Sequence, residues 1–199
     1  MKRAFLYIGM GLALLLTLYF FTEDISTELP LSKKIVVSSG SADYPIFDSL
    51  EELEADSDLI IKGQLHGDPQ IKDEYQSGVH IDSVRKSEVV IREVYKGQRE
   101  EEEIITVYEP GFVQDNTLIT IEGYVPMNSS GNYILFLREN PNGEYVVMGV
   151  DQGKYDLNIR KGAKRYTHIT FEELENADYI GENPNRFNKL KDQVRKKYN

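Results

Sequence analysis

Residues Ala4 to Phe21 form an uncharged run of 18 residues without Pro, Asn or Gln, directly after the basic pair Lys2-Arg3. As a helix the run spans about 27 Å at roughly 1.5 Å per residue, close to a bilayer core of about 30 Å. It is apolar all round, which disfavours a globular helix with one solvated face. Bases before the run and the acids Glu23, Asp24 and Glu28 after it orient the N-terminus toward the cytoplasm and the rest of the chain outward. Tyr19, Phe20 and Phe21 sit where an aromatic belt meets the outer interface. A cleaved signal has an apolar core of about 7–15 residues followed by an A-x-A-like site, and neither fits here. The expectation is an uncleaved signal anchor over residues 1–21, with the membrane as partner through residues 4–21. The extracellular C-terminal domain would then stay attached; secretion after signal-peptide cleavage is the alternative.

An exported chain can use disulfides, yet the 199 residues contain no cysteine. That excludes a lipoprotein anchor, a zinc-thiolate or iron–sulfur centre and a cysteine nucleophile. About 150 residues outside the membrane are enough for one hydrophobic core to stand without cross-links. Lys and Arg number 23 against 33 Asp and Glu. Residues 43–160 hold 24 acids and 10 bases, whereas the last 14 residues hold six bases and one acid. An acidic body of this kind excludes nucleic acid as a partner, since phosphate contacts need a clustered basic face.

Residues 22–42, with Pro30, Lys33-Lys34 and the Ser38–Ala42 cluster, read as a linker in which Ile35-Val-Val37 can add a short edge strand. Ser49-Leu-Glu-Glu52 is a capping box that opens a short helix. Strand signals then follow at 59–65, 79–95, 103–109 and 117–121, with a bulge expected near Arg85–Ser87. Tyr133–Leu137 is apolar on both faces and reads as the most buried strand. Asn140-Pro-Asn-Gly143 is a hairpin turn leading to 144–150. Lys154–Arg160 alternates, with Tyr155, Leu157 and Ile159 predicted inward, and Lys164–Ile169 is its expected partner. Thr170-Phe-Glu-Glu173 is a second capping box. Beyond Pro184, the stripe Phe187, Leu190, Val194 marks a basic helix expected to dock by its apolar side, with its basic face left solvated. Contact with anionic lipid or wall polymer is the other reading of that face.

The fold class expected is mainly β: an antiparallel Greek-key or OB-like barrel over residues 43–169, with short flanking helices, an N-terminal transmembrane helix and a C-terminal helical segment at 170–199. Ala55-Asp-Ser-Asp-Leu-Ile-Ile-Lys-Gly63, Val94-Tyr-Lys-Gly97, Ile105-Thr-Val-Tyr-Glu-Pro-Gly111, Gly131-Asn-Tyr-Ile-Leu-Phe-Leu137 and Gln152-Gly-Lys-Tyr155 together resemble a small β-barrel domain common in exported proteins of Gram-positive, Bacillus-like bacteria. The resemblance covers residues 49–160. It implies a fold and no site, because that family carries no assigned activity. The strand order also resembles the OB-like barrel, except that 110–131 holds Pro, Gly and a short strand where that fold carries a helix.

Candidate chemistry is sparse. Of the three histidines, His80 is followed by Asp82 at a spacing that puts both on one face of a strand. Two ligands do not complete a zinc site. His66-Gly-Asp68 has the same spacing in a turn. There is no G-x-S-x-G, P-loop, G-x-G-x-x-G or calcium-loop pattern, and Glu100–Glu103 is a like-charge run that reads as a solvated loop. Tyr108, Tyr124, Tyr133, Tyr145 and Tyr155 fall in or near the barrel strands, either lining a groove or packing in the core with wet hydroxyls, the latter preferred. His80, Asp82, Tyr108 and Tyr124 are the binding candidates, with no metal and no cofactor expected. The function expected is non-catalytic binding or scaffolding of peptide, glycan or protein in the cell envelope. An inhibitory or interaction module for a secreted or membrane enzyme is the alternative, and a hydrolase using His80 and Asp82 is the third reading.

Overall fold

A computed structural model describes residues 33–77, 79–160 and 168–199, without the side chains of 74–76 and 79–82. The apolar run at 4–21 and most of the expected strand at 164–169 lie outside the described residues. Among the described residues, no helix is long and apolar enough to cross a membrane.

The fold is mainly β, with a closed five-stranded barrel and a few short helices. In chain order the elements are β1 (Lys34–Gly40), α1 (Leu50–Asp56), β2 (Leu59–Gln76), β3 (Val79–Lys96), β4 (Ile104–Glu109), β5 (Gly111–Gln114), β6 (Thr117–Ile121), β7 (Tyr133–Glu139), β8 (Tyr145–Val147), β9 (Lys154–Asp156), β10 (His168–Thr170), α2 (Phe171–Glu175) and α3 (Pro184–Tyr198). The barrel runs β2-β3-β4-β8-β7 and closes where Leu59–Gly63 pairs antiparallel with Tyr133–Leu137. Only the β4–β8 contact is parallel. Gly63 sits at that seam because a Cβ there would stand 2.6 Å from Cγ1 of Val89.

Strand β7 is buried on both faces, as its composition predicts. Tyr133, Leu135 and Leu137 point into the barrel with Leu59, Ile61, Val89, Ile91 and Val107. Ile134 and Phe136 face the other way, with Ile60, and are covered by Leu50 and Leu53 of α1 and by Phe187, Leu190 and Val194 of α3. The hairpin after β7 turns at Gly143, whose φ of 77° is the left-handed value an Asn-Gly turn requires.

A second sheet, ordered β10-β1-β6-β5, packs Ile35, Leu118 and Ile169 against Leu174 of α2 and against Ile180. Residues 34–40 lie inside the span read as a linker, yet β1 is an inner strand of this sheet, parallel to β6 and antiparallel to β10. Ile35 is fully buried there and Val36 is exposed.

Several local expectations are corrected. Ser49 accepts the Glu52 N–H at 3.2 Å, but the Glu52 carboxylate takes the Asp48 N–H at 3.0 Å instead of closing on Ser49. The second box, Thr170 with Glu173, is complete. The irregularity expected on β3 near Ser87 lies across from it: between the pairs His66–Glu88 and Gln70–Lys86, β2 places Gly67, Asp68 and Pro69 opposite Ser87 alone. Gly67 has a φ of 65°, and Pro69 has no N–H to give a ladder, so the extra residues fall on β2. The alternation read over 154–160 fails, because Lys154, Tyr155 and Asp156 are all buried, and β10 pairs with β1 instead of β9. The basic face of α3 is solvated in part, with Lys189, Lys196 and Lys197 exposed, but Lys191 is buried, and Arg186, Lys189, Lys191, Arg195 and Lys197 each bond a carboxylate or carbonyl of the body.

If β1 is part of the fold, Ile35→Ala should cost about 2–5 kcal/mol of unfolding free energy, the usual range for emptying a buried branched site. Val36→Ala, one residue along on the exposed face, should stay within about 0.5 kcal/mol. Urea denaturation of the two variants checks the contrast.

Candidate functional site

The buried ionisable groups are engaged with one another. Asp178, fully buried on β9's flank, accepts Lys154 Nζ at 2.7 Å on Oδ1 and Lys191 Nζ at 2.7 Å on Oδ2. Its Oδ2 also accepts the backbone N–H of Asp156 at 2.9 Å. Lys154 lies over the rings of Tyr124 and Tyr133, 5.4 and 5.2 Å from their centroids. Burial alone would push the Asp178 carboxyl up, but the two ammonium groups outweigh it and hold the group below its ordinary 3.8. Burial pulls Lys191 the other way, below its ordinary 10.5, against the attraction of Asp178. A lone acid between two lysines on different elements pins α3 to the barrel.

A second network closes the barrel end near β5. Glu109, 1% exposed, accepts Tyr124 Oη at 2.8 Å and the Met127 N–H at 2.7 Å on Oε2, while the Ser87 hydroxyl bonds Oε1. Arg85 Nε stands 3.3 Å from Oε1, and its Nη2 donates to the Met127 carbonyl at 2.7 Å. Burial, then Glu109, hold the Tyr124 phenol well above its ordinary range. Arg85 and Met127 of the second network line a hollow of the surface.

The residues singled out from sequence do not converge. His80 and Asp82 sit on β3 opposite Tyr75 and Glu74, with their side chains outside the description. His66 is exposed on β2, and His168 is exposed on β10 in the other sheet. Among the described residues no cluster of three His, Asp or Glu side chains is placed to hold a metal. Tyr124 is 1% exposed and offers no face to a ligand. Tyr108 is half-buried, donating to Glu144 Oε2 at 2.8 Å with Lys72 Nζ 5.5 Å above its ring. Tyr133, Tyr145 and Tyr155 are core side chains.

One concave surface, of about 390 Å³, is lined by Glu54, Ile60, Tyr95, Lys96, Lys197 and Tyr198; another lies between the barrel and the second sheet. Two adjoining hollows of about 290 Å³ and 190 Å³ share Pro69, Arg85 and Val113 in their walls. The larger runs from Leu65 and the Gly67–Pro69 bulge across Met127 to Leu174 and Glu175, and the smaller continues to Ile71 and Phe112. Its base is held rigid by the Arg85–Glu109–Met127 network. Sequence reading missed this groove. The one available signal was Gly67-Asp68-Pro69, a turn-forming tripeptide that marks a break in strand pairing.

Asp178→Asn would leave two ammonium groups buried beside a neutral amide, with an expected loss of about 3–5 kcal/mol at neutral pH. Folded Asp178 binds its proton less readily than unfolded Asp178. Its contribution is therefore complete above the unfolded carboxylate range and is lost as pH falls through the depressed folded value. The stability gap between wild type and variant should narrow below about pH 4, the ordinary aspartate range. Denaturant titrations at stepped pH check this, and a gap independent of pH would contradict it.

No protein-family model matches the chain and no curated protein matches it, so the reading of the groove rests on its own geometry.

Proposed function

We propose that the chain is a membrane-anchored, extracytoplasmic module of the cell envelope that binds or scaffolds an extended peptide or protein segment without catalysis. The observation that carries the binding reading is the groove between two sheets, apolar along Leu65, Pro69, Val113 and Met127 and bordered by strand edges. Phe112 is its one aromatic wall residue among those described, which favours peptide over glycan. The carboxylates of Glu109 and Asp178 are committed to internal partners, which argues against general acid–base work by either. The closing order β2-β3-β4-β8-β7, with β4 parallel to β8, supports an OB-like barrel in which β5 and β6 occupy the place of a helix. The run at 4–21 behind Lys2-Arg3 supports the anchor and its direction.

One observation favours the alternative of an inhibitory or interaction module. From Gln70 to Val84, β2 and β3 pair only with each other, a two-stranded ribbon beyond the barrel of the kind that enters a partner's cleft.

The absence of native cysteine makes topology directly testable. Asn142→Cys in the exposed β7–β8 turn should react with a membrane-impermeant maleimide on intact spheroplasts, with the chain remaining in the membrane pellet. Labelling only after lysis would overturn the outward placement, and recovery in the medium would select the cleaved form.

A further inference from the structure

Among the described residues, strand β5 ends its sheet, pairing with β6 alone. The Pro110 carbonyl accepts the Ile121 N–H at 3.0 Å, and the register continues with Phe112 opposite Ile119 and Gln114 opposite Thr117. In an antiparallel ladder, alternate residues bond the neighbour. Residues 110, 112 and 114 therefore bond inward, and Gly111 and Val113 turn their N–H and C=O away from β6, where Gly111 is buried and Val113 is half-buried. Val113 is also a wall residue of both hollows, so this edge borders the groove. The facing wall is β2 beyond Gly63, where β7 stops pairing with it. Among the described residues, the groove thus lies between two strand edges that have no strand partner. Such edges are templates for another strand.

Charge narrows the occupant. The guanidinium at the floor, Arg85, is committed to Glu109 and the Met127 carbonyl. The rim of the larger hollow carries the exposed acids Asp68, on the β2 side, and Glu175, on the α2 side. A strand entering here meets apolar side chains below and a carboxylate on either side.

We infer that the outer edge of β5 at Val113 takes an extended basic peptide as an added strand, its apolar side chains seated over Pro69 and Val113 and its basic side chains within the rim formed by Asp68 and Glu175. This rests on the groove being the binding site, and names how it binds and what chemistry it selects. Main-chain bonds to Val113 supply affinity; the alternating side chains and the acidic rim supply selection.

The test uses the full chain in detergent and a fluorescent synthetic peptide of alternating valine and threonine with two lysines at one end. Its matched forms carry two glutamates in place of the lysines, or N-methyl groups on alternate backbone nitrogens. The lysine peptide should bind, the glutamate and N-methylated forms should bind about tenfold more weakly or less, and Val113→Pro should lose a similar factor. Proline at 113 removes an N–H that points away from β6, so the β5–β6 ladder is kept. The N-methylated peptide asks the same question of the unaltered protein. If the lysine peptide binds, Ile71→Glu abolishes it, and both Val113→Pro and N-methylation are without effect, the groove binds peptide but not as a strand. Equal binding of the glutamate peptide overturns the charge selection. Failure of every peptide overturns the binding reading itself.

Discussion

Strand β7 has to serve two hydrophobic layers at once, and the rest of the molecule is arranged around that constraint. Tyr133, Leu135 and Leu137 fill the barrel, while Ile134 and Phe136 need a second cover that the barrel cannot provide. α1 and α3 supply it, from opposite ends of the described chain. A strand of this kind cannot be an edge, so β2 closes on one side of it and β8 and β9 share the other. The barrel is closed because leaving either side of β7 open would expose backbone groups flanked by apolar side chains on both faces.

Covering β7 with a basic helix brings charge inside. Lys191 lies among the residues of α3 that face the barrel, one position beyond Leu190, and is 1% exposed. A buried ammonium is tolerable only when paired and hydrogen-bonded. Asp178 meets it together with Lys154 from β9, so one carboxylate answers two lysines and links the helix to the barrel wall. A buried ion cluster gains little net stability over an apolar one of the same shape, but it loses much when one member is removed. Its effect is to tie α3 to one place along the barrel, where Lys191 meets Asp178. The acidic body and basic tail seen in the composition thus meet in part inside the fold, at Lys191 and Asp178.

Legibility in the sequence followed how local the cause of each feature is. The two-faced burial of β7, the Asn140–Gly143 hairpin, the Thr170 box and the docking stripe of α3 were readable because a few neighbouring residues determine each. The β9 alternation misled, because Lys154 and Asp156 look like solvent-facing positions until a distant Asp178 supplies the partner. β1 looked like spacer for the same reason: Ile35 is core only because Leu118 and Ile169, far away in sequence, come to cover it. The groove was least visible. Its walls come from four separated stretches, and its floor is an arginine whose role depends on Glu109.

The groove is a consequence of where strands end. β7 pairs with β2 as far as Gly63, where the seam is tightest, and β2 then continues with a bulge. β4 stops at Glu109, and Pro110, unable to donate to a ladder, sends the chain out of the barrel into β5 and the second sheet. Among the described residues, two edges are thereby left without a strand partner beside each other, over a floor that the Glu109 network holds still. Proteins blunt exposed edges with charge, proline or bulges. Here Asp68, Pro69 and Pro110 stand along these edges, which restrains indiscriminate pairing while leaving Val113 half-buried between them. An edge guarded on its flanks and half-buried at its centre is suited to one short strand at a time, because longer or acidic partners meet the bulge and the carboxylates before they can pair.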